Sequence, residues 1–180
     1  MYIDTKKLKE NIFAVIMFLC GTGLLFYLNY AKEEFITSHT VQTETFTVER
    51  VIDGDTIEVT GDPGSLTVRL IGVDTPESVH PDESKNNEYG KAASEWLGKL
   101  LTGKTVELEY GEEKTDTYGR TLAYVYLDGE MVNKMLLRNG LAKTMFIPPN
   151  TKYQKEFEQI EQTAKDNNTG FWIDYFKNEQ

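Results

Sequence analysis

The stretch Val68-Arg69-Leu70-Ile71-Gly72-Val73-Asp74-Thr75-Pro76-Glu77 reads as a buried β-strand that ends in reactive groups. Apolar residues dominate as far as Val73 and Pro76 blocks continuation, so a strand over Leu66–Val73 delivers Asp74, Thr75 and Glu77 to a strand end. Upstream lies Val51-Ile52-Asp53-Gly54-Asp55-Thr56, in which Asp53-Gly54 is expected to be a hairpin turn with glycine supplying a positive φ. Downstream lies Asp116-Thr117-Tyr118-Gly119-Arg120. Any one of these phrases alone is satisfied by a turn or a strand end. Together, in this order and inside one small domain, they bring three carboxylates (Asp55, Asp74, Glu77) and two guanidiniums (Arg69, Arg120) to the ends of short β-runs.

Working outward, alternation of apolar and polar residues predicts strands at Phe46–Ile52, Thr56–Thr60, Leu66–Val73, Thr105–Tyr110 and Thr121–Leu127. Between the third and fourth, Tyr89, Ala93, Trp96, Leu97, Leu100 and Leu101 recur at helical spacing, and Gly103 closes the segment. A second helix is expected over Glu130–Asn139, ended by Gly140. A third is expected over Thr151–Asp166, with Tyr153, Phe157, Ile160 and Ala164 on one face. These stripes are core that packs on a sheet and need no cofactor. The fold class is α+β: a five-stranded OB-fold barrel with three helices, an architecture whose surface commonly holds oligonucleotides.

The residue types suit phosphodiester hydrolysis. Two aspartates and a backbone carbonyl make an oxygen-ligand site for a hard divalent cation, with room left for water and substrate. A further carboxylate can accept a proton from attacking water or orient it. Attack on a phosphodiester builds charge on the equatorial oxygens, and arginines offer bidentate, permanently charged donors to it. Thiol, triad and zinc-cluster chemistries lack parts. The one cysteine, Cys20, lies in an apolar run, and His39 and His80 have no partners in the sequence.

These phrases, with the continuation Thr121-Leu122-Ala123-Tyr124-Val125-Tyr126, the run Met131-Val132-Asn133 and the run Asn139-Gly140-Leu141-Ala142-Lys143, resemble the staphylococcal nuclease (thermonuclease) family from Phe46 to Trp172. The resemblance implies the same barrel and a calcium-dependent endonuclease that hydrolyses DNA and RNA with little sequence preference, leaving 3′-phosphate ends. It implies that Asp55, Asp74 and the carbonyl of Thr75 hold Ca²⁺, that Glu77 is general base or water orienter, and that Arg69 and Arg120 bind the scissile phosphate. It places Tyr118 and Phe146 at the substrate. The chain departs from the family pattern where Asp82 and Glu83 replace lysines, where Thr117 replaces a lysine, and where Phe146 and Pro148 replace tyrosines that flank a base. A non-catalytic OB-type module binding nucleic acid or protein is the alternative, and the intact Asp55, Arg69, Glu77 and Arg120 speak against it.

Ahead of the domain, residues 12–30 are almost wholly apolar and uncharged, and Lys6, Lys7 and Lys9 precede them. That length spans a bilayer as a helix, and the lysines keep the N-terminus cytoplasmic, so residues 1–30 read as a single-pass transmembrane signal-anchor. The catalytic domain, 46–180, is then extracytoplasmic on a stalk, 31–45. The rival reading is secretion after cleavage at Ala31, but Asn29 stands where a small residue is wanted. A lipid anchor on Cys20 is disfavoured in the same way, because Leu19 precedes it. Charge runs against a processive DNA binder. The chain carries 19 Lys and Arg against 29 Asp and Glu, a net of −10, so a strand is expected to be engaged briefly, through a bound cation and two arginines. Nothing in the pattern demands more than a monomer.

Overall fold

The computed structural model describes residues 43–62, 64–76 and 88–175. The expected membrane segment, most of the stalk and Glu77 lie outside these residues; among the described residues no helix is long and apolar enough to cross a membrane. Five strands form the barrel, namely β1 (Thr43–Asp53), β2 (Thr56–Thr60), β3 (Ser65–Leu70), β5 (Thr105–Thr115) and β6 (Thr121–Leu127). Strand order runs β3-β2-β1-β5-β6, and a parallel pairing of β3 with β6, Val68 opposite Thr121 and Leu70 opposite Ala123, closes the ring. The expected five-stranded OB-type barrel is what forms.

Alternation sets the inner face. Phe46 and Val48 of β1, Ile57 and Val59 of β2, Val68 and Leu70 of β3, Val106 and Leu108 of β5, and Ala123 and Val125 of β6 are all buried. In β1 the register shifts between Val48 and Arg50. One extra residue there reverses the parity, so Val51 packs against the core while Arg50 stays outside and pairs with Glu58. β1 also starts at Thr43, where its backbone pairs with Glu109 of β5, so residues 43–45 of the expected stalk are strand.

The strand expected over Leu66–Val73 is two strands. Gly72, at φ 78°, turns the chain out of the barrel. A side chain there would be strained, and a Cβ would stand 2.7 Å from the Phe146 ring. The residues that follow form β4 (Gly72–Asp74), which pairs antiparallel with β8 (Lys143–Met145) in a separate two-stranded sheet. A two-residue strand, β7 (Glu130–Met131), pairs with β6. It takes the first two residues of the helix expected from Glu130.

Helix α1 (Glu88–Leu101) buries Gly90, Ala93, Leu97 and Leu101, a three- and four-residue spacing that makes one apolar face. Helix α2 (Val132–Arg138) buries Val132, Leu136 and Leu137, and α3 (Gln154–Asp166) buries Phe157, Glu161 and Ala164. A single-turn helix, α4 (Trp172–Tyr175), adds to the three expected, with Phe171 and Trp172 packed on Ala164. A buried carboxylate fastens the segment before α3 to the outside of the barrel. Glu109 of β5 accepts from the hydroxyl of Tyr126 at 2.7 Å, from that of Tyr153 at 3.0 Å and from the ammonium of Lys152 at 2.7 Å. Burial, and then the bond to Glu109, push the Tyr126 phenol far above its usual range, so it stays a donor.

Asn133 of α2 joins β6 to the chain just past β3, the two strands whose pairing closes the barrel. Fully buried, it accepts from the Val125 amide at 3.0 Å and donates to the Ile71 carbonyl at 2.8 Å. Asn133→Leu leaves both backbone groups buried without partners, and a cost of about 2–4 kcal/mol is expected. Urea denaturation of the two proteins measures it, and a difference below about 1 kcal/mol would mean that the backbone finds other partners.

Candidate active site

The site starts at the β1–β2 turn. Gly54 lies outside the positive-φ region, contrary to the sequence expectation, and is required for space instead. A Cβ on it would meet Thr75 Oγ1 at 2.7 Å and Ala93 Cβ at 2.9 Å. The turn is thereby pressed between α1 and the residue that follows β4. This seats Asp55, which is buried. Its Oδ1 accepts from Thr56 Oγ1 at 3.0 Å, and its Oδ2 accepts from the Thr75 amide at 3.1 Å, from Thr75 Oγ1 at 3.3 Å and from Arg69 Nη2 at 3.0 Å. Burial pushes the Asp55 carboxyl above the usual aspartate range; the charge of Arg69 and the Thr75 amide oppose this without cancelling it.

Arg69, at the end of β3 and 9% exposed, joins these parts. Its Nη1 donates to the carbonyls of Leu70 and Val73, both at 2.7 Å, and its Nη2 faces Asp55 and, at 3.5 Å, Asp74 Oδ1. The bend at Gly72 brings the Val73 carbonyl back within reach of Arg69. On its other oxygen, Asp74 pairs with Lys143 of β8 at 3.3 Å. Two carboxylates therefore converge on one guanidinium nitrogen, with the Thr75 peptide beside them.

The β5–β6 hairpin supplies the opposite wall. Asp116 Oδ1 accepts from the amides of Tyr118 and Arg120, both at 2.9 Å, while Oδ2 accepts from Arg120 Nε at 2.6 Å. The turn and the guanidinium are thus fixed by one carboxylate, which leaves Arg120 Nη1 and Nη2 for an anion. The Tyr118 ring stands out in solvent, 84% exposed, with Arg120 5.4 Å from its centre. Arg69, Arg120, Tyr118, Met145, Ile147 and Asn150 are among the residues that line one groove of about 260 Å³.

Of the residues singled out in the sequence, Asp55, Arg69, Asp74 and Thr75 meet, and Arg120 and Tyr118 line the groove together with Arg69, the one member of that cluster among its lining residues. Glu77 lies outside the described residues. Phe146 does not line the groove: its ring packs on Phe157, 5.5 Å between centres, and over Gly72. Strand alternation explains the displacement, since Met145 and Ile147 on either side of it are the exposed residues. Sequence reasoning missed Asn150, which is buried and holds the β5 extension by bonds to the amide and the carbonyl of Glu113, at 2.9 and 2.8 Å. No pattern marks such a residue. It also gave Asp116 no role, although aspartate two residues before a Tyr-Gly step is a recognisable turn signal.

Among the described residues no three His, Cys, Asp or Glu side chains group together as a metal cluster. The oxygen donors that do meet, the carboxylates of Asp55 and Asp74, nonetheless suit a hard divalent cation, and the upward push on buried Asp55 is relieved by added positive charge.

A sequence profile described as staphylococcal nuclease homologue matches residues 67–174. The chain belongs to the staphylococcal nuclease family. It is 48% identical over 168 residues to a thermonuclease of Staphylococcus intermedius, a match covering 93% of this chain and 98% of that one. Identity to a thermonuclease of Staphylococcus hyicus is 38% over 167 residues, with 93% and 98% covered. Endonuclease YncB of Bacillus subtilis is 42% identical over 128 residues, which are 70% of this chain and 60% of that protein. As a member of the staphylococcal nuclease family, the protein is a phosphodiester-hydrolysing nuclease.

Partial burial raises the Asp116 carboxyl, but the three hydrogen bonds and the charge of Arg120 outweigh it and hold the group below the usual aspartate range. A depressed folded value means that the stabilisation is complete above the unfolded pKa of ~3.9 and is lost as pH falls through the folded one. Asp116→Ala is therefore expected to lose about 1–2 kcal/mol at neutral pH, with the gap to wild type closing in the acid range. Paired denaturation curves at neutral pH and in acid check this; a gap independent of pH would show that the carboxylate charge plays no part.

Proposed function

We propose that this nuclease depends on calcium and cleaves DNA and RNA with little sequence preference, leaving 3′-phosphate ends. The observation that carries the reading is the convergence of Asp55 and Asp74 on Arg69, at 3.0 and 3.5 Å, beside a groove that Arg120 lines from the other side. Asp55, Asp74 and the carbonyl of Thr75 are the residues that would hold Ca²⁺. When bound, the ion supplies charge and Lewis acidity for a phosphate oxygen and for water.

The chain's own groups divide the remaining work. Glu77 accepts the proton of the attacking water or orients it. Arg69 stays anchored by Nη1 on two carbonyls while Nη2 exchanges a carboxylate for a phosphate oxygen. Arg120, held by its Nε, presents Nη1 and Nη2 to the same phosphate, so charge that develops in the transition state meets donors already in place. Tyr118 offers an exposed ring for stacking on a base, and Met145 and Ile147 line the groove with it. Phe146 supports this wall from behind. Stacking on an exposed ring and donation to phosphates do not distinguish one base from another, which supports weak sequence preference.

The apolar run 12–30 supports a single-pass anchor with the nuclease domain outside the cytoplasm, and a monomer suffices. Compartment and metal then agree. Two carboxylates and a carbonyl make a lightly charged site, for which calcium affinity in the ~10⁻⁴–10⁻³ M range of extracellular modules is expected. Protease treatment of intact cells tests the topology, since an outward domain is degraded and an inward one protected.

Activity of the full-length protein in detergent on plasmid, single-stranded DNA and RNA, with calcium and then with chelator, tests the reading. Cleavage that survives chelation would overturn it. Arg69→Lys and Arg120→Lys are each expected to lower kcat by roughly 10²–10³, because a point charge cannot replace two parallel donors. Glu77→Gln is expected to lower kcat with an unchanged melting profile. Near wild-type turnover of either arginine variant at saturating calcium and substrate would make these residues structural.

A further inference from the structure

Asp74 is bracketed by two cations that differ in freedom. Arg69 lies 3.5 Å from Oδ1, its side chain is 11% exposed, and its Nη1 is tied to the Leu70 and Val73 carbonyls. Lys143 lies 3.3 Å from Oδ2, its side chain is 57% exposed, and Asp74 is the one ion-pair partner that it has among the described residues. Arg69 is part of the frame. Lys143 is an ammonium on a flexible stem at the surface.

Its place in β8 gives that ammonium a second partner. Lys143 pairs across the small sheet with Asp74, and Met145 pairs with Gly72, so alternation puts Lys143 and Met145 on the same exposed side, with Ile147 next in sequence. Met145, Ile147 and Val73 line the groove, and Lys143 stands one step further along the same face of β8, beside Asp74, just beyond the lining. The groove lining itself carries no net positive charge. Glu113 and Asp116 stand among its lining residues against Arg69 and Arg120, so their formal charges cancel, and the chain as a whole carries −10.

We propose that Lys143 is shared between Asp74 and the phosphates of the incoming polymer, so that it weakens the cation site and strengthens capture of the substrate. The proposal rests on the calcium reading above. Its physical content is a pair of effects of opposite sign from one charge. An ammonium beside a cation-binding carboxylate repels the divalent ion, and the same ammonium at the mouth of the groove attracts a polyanion. Weak calcium binding is then set partly by Lys143 and accompanies a gain in substrate affinity.

The test uses the full-length protein in detergent, with Lys143→Met, Lys143→Arg and, as a control for net charge, Lys104→Met on the exposed turn before β5. Calcium affinity is measured by titration calorimetry without nucleic acid, and KM for single-stranded DNA is measured at saturating calcium over a range of salt. Lys143→Met is expected to bind calcium about 3- to 10-fold more tightly. It is also expected to show a KM about 3- to 10-fold higher, with a salt dependence of KM shallower by ~1 in the log–log slope. Lys143→Arg, which keeps the charge, restores both, and Lys104→Met changes neither. Calcium affinity in Lys143→Met that is unchanged or weaker, an unchanged salt slope, or equal effects in Lys104→Met would each overturn the proposal. Failure of the wild-type protein itself to bind calcium would overturn the calcium reading, and this inference with it.

Discussion

The site depends on one buried guanidinium. Arg69 is nearly removed from water, and a charge so placed persists only when it is paired and hydrogen-bonded. Its Nη1 takes two carbonyls and its Nη2 takes two carboxylates. Those partners come from the β1–β2 turn, the end of β3 and β4, so satisfying one side chain brings three separate segments to one point. The bend at Gly72 is part of the same constraint, because a straight third strand would carry the Val73 carbonyl and Asp74 away from Arg69.

The walls of the groove are fastened by polar groups rather than by the barrel core. Glu161 of α3 accepts from the amide and the hydroxyl of Thr144, at 3.1 and 3.0 Å, and so ties β8 to the helix behind it. Asn150 ties the β5 extension to the chain that follows β8, and Asp116 closes the hairpin that carries Arg120. Each holds backbone that has no ladder partner. A hydrophobic core positions strands well, but it cannot set the direction of a loop, and directional bonds to the loop's own amides and carbonyls can.

An acidic nuclease has to bind a polyanion without long-range attraction. The groove presents Arg69 and Arg120, while over the chain as a whole carboxylates outnumber cations, 29 to 19. Screening limits the repulsion to about 8–10 Å at physiological salt, so a strand that reaches the groove is governed by the local donors. Such an arrangement suits repeated brief encounters better than tracking along a polymer.

Alternation and helical spacing determined the barrel strands and the three longer helices, because a period of two or of 3.6 follows from which side of an element is buried. Asp55, Arg69, Asp74 and Arg120 stood out in the sequence for the same reason: they sit at or beside strand ends, where the apolar pattern stops. What tertiary structure alone decided lies where two elements compete for one residue. Gly72 could continue a strand or break it, and the break was set by the pairing of β4 with β8 and by the Phe146 ring over it. Gly54 sits in the expected turn, but what requires glycine there is the close approach of Thr75 and Ala93, which come from elements distant in sequence, and not a positive φ. Phe146 was expected at the substrate and packs on Phe157, since its facing depends on the register of a three-residue strand. Asn150 and Glu161 carry no sequence signal, because their role is to satisfy particular backbone groups, and those groups become neighbours only when the chain has folded.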